Sequence, residues 1–89
     1  MSEYNKREDV RLRVKKIHGH VHSIGRMLDE GRSYPQVVQQ VIAVRAAMNG
    51  VIQVIIDDLV ADCMTKTAKD RPFQDSLLEL QAVVAKVRS

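Results

Sequence analysis

A proline-free stretch from Val38 to Cys63, VQQVIAVRAAMNGVIQVIIDDLVADC, constrains the fold of this chain more than any other feature. Taken from Pro35 to about Lys66, it predicts a helix of about 30 residues, roughly 45 Å long at 1.5 Å per residue. A compact chain of 89 residues is narrower than that. Two apolar stripes run along the segment at helical spacing. One is Val37, Val41, Val44, Met48, Val51, Ile55 and Leu59; the other is Val38, Ile42, Ala46, Ile52, Ile56, Val60 and Cys63. One stripe is expected to pack on a neighbouring helix and the other on a second subunit. Ala43, Ala46, Ala47 and Gly50 allow close approach, and Asn49-Gly50, elsewhere a turn signal, is expected to stay helical.

The flanking segments are helical too. Val10, Val14, Ile17, Val21, Ile24 and Leu28 recur every three or four residues, predicting an amphipathic helix over about 6–30. Gly31 stands at the expected C-cap, and Ser33 is the expected N-cap of the second helix, with Pro35 in its first turn. Thr67 to Pro72 reads as a polar connection, with Arg71 biased away from helix by the following proline. Leu77, Leu80, Val84 and Val87 predict a third helix over about 73–87. The expectation is one all-α domain over 1–89, with helices at about 6–30, 35–66 and 73–87.

Two Tyr, one Phe and no Trp leave the core to aliphatic side chains and methionine. A single cysteine precludes an intramolecular disulfide, and no charged-then-apolar leader is seen. No unbroken apolar run reaches the roughly 18–20 residues of a membrane span. A soluble cytoplasmic protein without membrane contact is expected. Charge is uneven: residues 1–45 hold nine basic and five acidic side chains, and residues 46–89 five and six. Lys6, Arg7, Arg11, Arg13, Lys15 and Lys16 crowd the first helix. Such a cluster is either a solvated helix face or, repeated in an oligomer, a polyanion-binding surface.

The run Arg13-Val14-Lys15-Lys16-Ile17-His18-Gly19-His20-Val21, followed by Ile24 and Arg26-Met27-Leu28-Asp29-Glu30, resembles the first helix of the copper- and nickel-sensing repressors of the CsoR/RcnR/FrmR type. The resemblance continues through Val38-Gln39-Gln40-Val41 and Ala43-Val44-Arg45-Ala46-Ala47-Met48-Asn49-Gly50, and spans nearly the whole chain. It implies a three-helix protomer, an antiparallel four-helix-bundle dimer and a dimer of dimers. It further implies a repressor that binds double-stranded operator DNA without a helix-turn-helix. An effector at the end of the long helix would release it. No short recognition helix after a tight turn is visible here, so phosphate contacts and DNA shape would dominate.

The effector ligands depart from the family pattern. Copper-sensing members use a cysteine at the start of the second helix, then a histidine and a cysteine four residues apart, supplied across the dimer interface; these positions fall on Tyr34, Leu59 and Cys63. The N-terminal histidine of nickel-type members has no counterpart in Met1-Ser2-Glu3-Tyr4. Formaldehyde-type members depend on the first cysteine, and persulfide-sensing members on both. Cu(I) favours soft thiolate and imidazole donors, so one thiolate with a phenol is a poor copper site. Glu79 matches an acidic position that lies behind the copper ligands in the family. Cys63, Tyr34 and Glu79 are therefore the candidate effector residues, and a transition metal is only weakly supported as cofactor.

Other groupings have a plain reading beside the chemical one. Cys63 reads as a sensor thiol or as a small buried hydrophobe. His18 and His22 share a helix face at chelating i,i+4 spacing while His20 points away; the plain reading is surface histidines beside a DNA-binding face, where protonation would raise affinity as pH falls. Asp58 and Asp62, also i,i+4, read as a hard-cation pair or as a solvated acidic helix end. For DNA contact the candidates are Arg13, Lys15, Lys16 and Arg45, the last alternatively snorkelling over apolar neighbours. No paired catalytic carboxylates, nucleophile–base pair, Gly-rich phosphate loop or CxxC site is present, so an enzyme is not expected. The leading reading is a repressor with an altered effector site; the other is a helical oligomer serving protein interaction or metal storage without DNA.

Overall fold

The computed structural model describes residues 5–66 and 71–89; Met1–Tyr4 and most of the Thr67–Pro72 connection lie outside them. Among the described residues there are three α-helices and no strand: α1 (Arg7–Asp29), α2 (Tyr34–Met64) and α3 (Arg71–Arg88).

Local chemistry sets the helix ends. Gly31, at φ 74°, closes α1. Its N–H donates to the Leu28 carbonyl at 3.1 Å, and the Arg32 N–H donates to the Met27 carbonyl at 3.0 Å. This is the paired C-terminal closure that a left-handed residue permits. Two residues after Gly31, the Ser33 hydroxyl accepts from the Gln36 N–H at 3.4 Å, and Gln36 Oε1 accepts from the Ser33 N–H at 3.3 Å. That reciprocal cap starts α2 at Tyr34, one residue before the expected Pro35. The other end of α2 falls short of Lys66, because the Thr65 hydroxyl donates to the Asp62 carbonyl at 2.7 Å and ends the ladder. Arg71 proves helical, against the expectation from Pro72. A proline in the first turn removes only an N–H that has no helical partner there.

α1 and α2 form an antiparallel pair, fixed by contacts at three levels: Lys6 with Asp58, Arg13 beside Gly50, and His20 with Gln40. Asn49-Gly50 stays inside α2. A Cβ at Gly50 would stand 3.5 Å from the Arg13 guanidinium, so the small residue admits the α1 side chain. α3 packs on α2 near its C-terminal end, where the Ser76 hydroxyl donates to Asp62 Oδ2 at 3.0 Å.

The core is thin. Among the described residues Ile17, Val37, Val51, Val54, Leu59 and Cys63 are its buried apolar members, and no side chain is wholly enclosed. From the first expected stripe Val37, Val51 and Leu59 are buried, whereas Val41 and Met48 are about half exposed; from the second only Cys63 is buried, with Val38, Ile42 and Val60 open. The protomer measures 58 × 28 × 12 Å with a radius of gyration of 17.5 Å, against about 12 Å for a compact chain of this length. Its accessible surface, 6925 Å², exceeds the roughly 5,300 Å² of a compact 10-kDa monomer. The protomer is one helix thick.

One expectation is corrected. Within Tyr34–Met64 an 18-residue window has a mean hydropathy of 1.3 and at most two charged residues, long and apolar enough to cross a membrane by composition. Gln39, Gln40, Arg45, Asn49 and Gln53 interrupt the run without lowering its average far. A core helix of a soluble assembly meets the same criterion.

Candidate functional site

The effector candidates gather only in part. Tyr34 opens α2 and is 77% exposed, whereas Cys63 lies 29 residues on, at the far end of the same helix. At 1.5 Å per residue their backbones are about 44 Å apart. Within one protomer they share no site. Cys63 is buried, and its thiol is pushed above the ordinary range, first by burial, then by the carboxylates of Asp62 and Glu79, with Lys66 pulling the other way. Glu79 therefore lies within electrostatic reach of Cys63. It stands on α3, itself exposed.

Leu59, at the family's histidine position, faces a cavity of about 210 Å³. Arg7 and Val10 of α1, Ile55 and Asp58 of α2, and Glu79 and Val83 of α3 complete its lining. A leucine there contributes no donor atom. Among the described residues no group of three His, Cys, Asp or Glu side chains is arranged to hold a metal ion. With one protonated thiol, no imidazole and a distant phenol, the side chains of a protomer do not fit the family's metal.

Asp58 and Asp62 are not a solvated acidic end. Both are buried, at 5% and 4% exposure, and each holds a different neighbour. Asp58 Oδ2 accepts the Lys6 backbone N–H at 3.2 Å, capping an α1 that has no side-chain cap of its own. Asp62 Oδ2 accepts from Ser76; its Oδ1 has no hydrogen-bond donor and faces Lys66 Nζ at 3.7 Å. Engaged separately, the two carboxylates bind helices rather than a shared cation. No sequence pattern announced this, because the partners are a backbone amide and a serine 14 residues away.

His20 lies on a different face of α1 from His18 and His22: its Nε2 meets Gln40 Oε1 at 2.8 Å across the α1–α2 seam. His18 and His22 are exposed, and no third donor joins them among the described residues, so neither is assigned as a metal ligand.

The four DNA-contact candidates also separate. Arg13 is held by Asp9, Nε to Oδ1 at 2.9 Å, and with Lys15 and Lys16 borders a depression floored by Ala46, Ala47 and Gly50. Lys15, Lys16 and Arg45 are exposed and form no ion pair among the described residues. Arg45 sits on the other side of α2. Its helical neighbours at three, four and seven residues are Val38, Val41, Ile42, Met48, Asn49 and Ile52, five of them apolar and four about half exposed. That is the stripe a second subunit would cover, so Arg45 is separated from the basic face of α1.

Residues 6–86 match a family described as metal-sensitive transcriptional repressor. A copper-sensing transcriptional repressor, RicR of Mycobacterium tuberculosis, is 30% identical over 77 residues, covering 84% of this chain and 80% of its own. The transcriptional repressor RcnR of Citrobacter koseri is 28% identical over 71 residues, 80% of this chain and 79% of its own. Among solved structures, the nickel-responsive transcriptional regulator InrS aligns with a TM-score of 0.77 and 30% identity, covering 93% of each chain.

Proposed function

The chain belongs to the metal-sensitive transcriptional repressor family, a family of regulators and not of enzymes, and we propose that it is a cytoplasmic repressor of operator DNA with an altered effector site. The observation that carries this reading is the family match over residues 6–86, which includes the whole basic first helix and the end of α2. Double-stranded DNA is bound by an assembly of protomers through α1. The effector acts at the C-terminal end of α2, through Cys63 with Glu79 beside it, and releases the DNA. The copper and nickel of RicR and InrS are poor guides to that effector here, because Leu59 and Tyr34 stand where the family's metal donors would.

Assembly follows the family architecture, an antiparallel four-helix-bundle dimer and a dimer of dimers. The half-exposed Val38, Val41, Ile42 and Met48 support it. So does the protomer's surface excess of roughly 1,600 Å² over a compact monomer, about twice what a standard interface buries on one partner.

Fluorescence anisotropy on DNA from upstream of the gene, at two salt concentrations, tests the reading. Wild type and Cys63→Ala are titrated alone and with Cu(I), Ni(II), Zn(II), formaldehyde or a persulfide donor. Tight, salt-sensitive binding released by one effector in wild type only is the expected result. Absence of specific binding at either salt overturns the repressor assignment.

A further inference from the structure

Along the exposed surface of α1, five residues recur at steps of four, three, four and four: Arg11, Lys15, His18, His22 and Arg26, with Lys15 and Arg26 also bordering depressions shared with α2. All are exposed. The stripe is about 22 Å long at 1.5 Å per residue and stays in register because residues three and four apart share a helix face. The α2-facing side of the same helix is occupied by Ile17 and His20.

We propose that His18 and His22 are phosphate contacts within this stripe, so that the protein takes up protons as it binds duplex DNA and binds more tightly as pH falls. The inference rests on the repressor reading and adds to it the contact surface and its regulation. It shifts the contact away from Arg13, which Asp9 already holds. Arg11 meets Glu8 only at 3.6 Å, with both side chains more than 70% exposed, an arrangement that water and phosphate readily displace.

The charged surroundings favour this mechanism. Along α1 the neighbours of His18 and His22 at three and four residues are each other, Lys15, Arg26 and the uncharged Val14, Gly19, Val21 and Gly25, with no acid within one turn of either. Across the seam the antiparallel register brings α2 residues 38–45 to their level, of which Arg45 is the sole charged residue and Gln40 is taken by His20. α3 packs on α2 and not on α1 at this level. Among the described residues no carboxylate within one turn supplies the counter-charge for an imidazolium here, and DNA phosphate does. Each imidazole protonated on contact adds one charge to the counterions released, steepening the salt dependence by about 0.9 in log–log slope.

The test is anisotropy with a labelled duplex from upstream of the gene, at about pH 8 and about pH 6 and constant ionic strength. Wild type is compared with His18→Gln/His22→Gln and with Lys15→Gln, each checked by circular dichroism for an unchanged melt. Wild type should bind more tightly at the lower pH, with a salt slope steeper by about 0.9 per histidine contact. The double histidine variant should lose that gain while matching wild type at the higher pH. Lys15→Gln should weaken binding at both. A double variant that keeps the full pH response, or a wild type with none, overturns the proposal and leaves the repressor reading standing. Failure of wild type to bind DNA at either pH overturns both.

Discussion

The backbone N–H of Lys6 donates to the buried carboxylate of Asp58 at 3.2 Å, although 52 residues separate them. The start of the basic helix is thereby fastened to the end of α2 that carries Leu59 and Cys63. A change in packing at that end has a direct route to the first turn of α1, where Arg7 and Arg11 project.

Asp58→Ala removes the cap and should cost about 1 kcal/mol of stability, within the range for N-cap deletions. Asp58→Asn keeps an acceptor oxygen and should cost less. Urea unfolding measures both. An alanine variant as stable as wild type would show that the contact contributes nothing.

Ser76 supplies the hydrogen-bond donor to buried Asp62. Ser76→Ala leaves that carboxylate with Lys66 alone, 3.7 Å away, and should destabilise by about 1–3 kcal/mol. As α3 loosens, Cys63 should react faster with a disulfide reagent at neutral pH. Unchanged reactivity would mean that α3 does not shield the thiol.

Burial and the carboxylates of Asp62 and Glu79 hold the Cys63 thiol above the ordinary range. Alkylation at neutral pH should therefore be slower than for an unstructured peptide thiol. Glu79→Gln should speed it and Lys66→Met slow it. The sign for stability follows from the raised value in the folded state. Below the ordinary thiol value of about 8.5 both states keep the proton and stability is full. Above it the unfolded chain ionises first, so stability declines as pH rises. Cys63→Ser should flatten that alkaline decline.

Ile42→Glu places a charge in the open stripe of α2 and should dissociate the assembly in sedimentation experiments. Arg45 belongs to the same stripe, so Arg45→Glu should also alter assembly. A change in DNA salt slope with assembly intact would instead return Arg45 to the DNA surface.

The helices were legible because apolar spacing and caps are local properties. Gly31 and the Ser33–Gln36 pair mark their ends within four residues of sequence. The packed seam of α2 was less legible. Along Val37, Gln40, Val44, Ala47, Val51, Val54 and Asp58 it alternates steps of three and four, and Gln40 and Asp58 are polar. Apolar spacing alone therefore does not pick it out, nor buried Val54. Gln40 and Asp58 are tolerated there because His20 and the Lys6 amide supply their hydrogen bonds. The candidate effector site was legible as a departure, with Tyr34 and Leu59 in donor positions, but the separate engagements of Asp58 and Asp62 depend on tertiary contacts that no spacing records.

A protomer 12 Å thick has almost no inside of its own, so folding and association draw on the same apolar surface. Its stability is then a matter of mass action. For the proposed assembly, dilution yields not a smaller working unit but a chain approaching the unfolded state, open to proteolysis. Under that proposal a cell that lowers synthesis of this protein a few-fold loses more than a few-fold of its activity, and the abundance of the chain becomes an input to the switch alongside any effector.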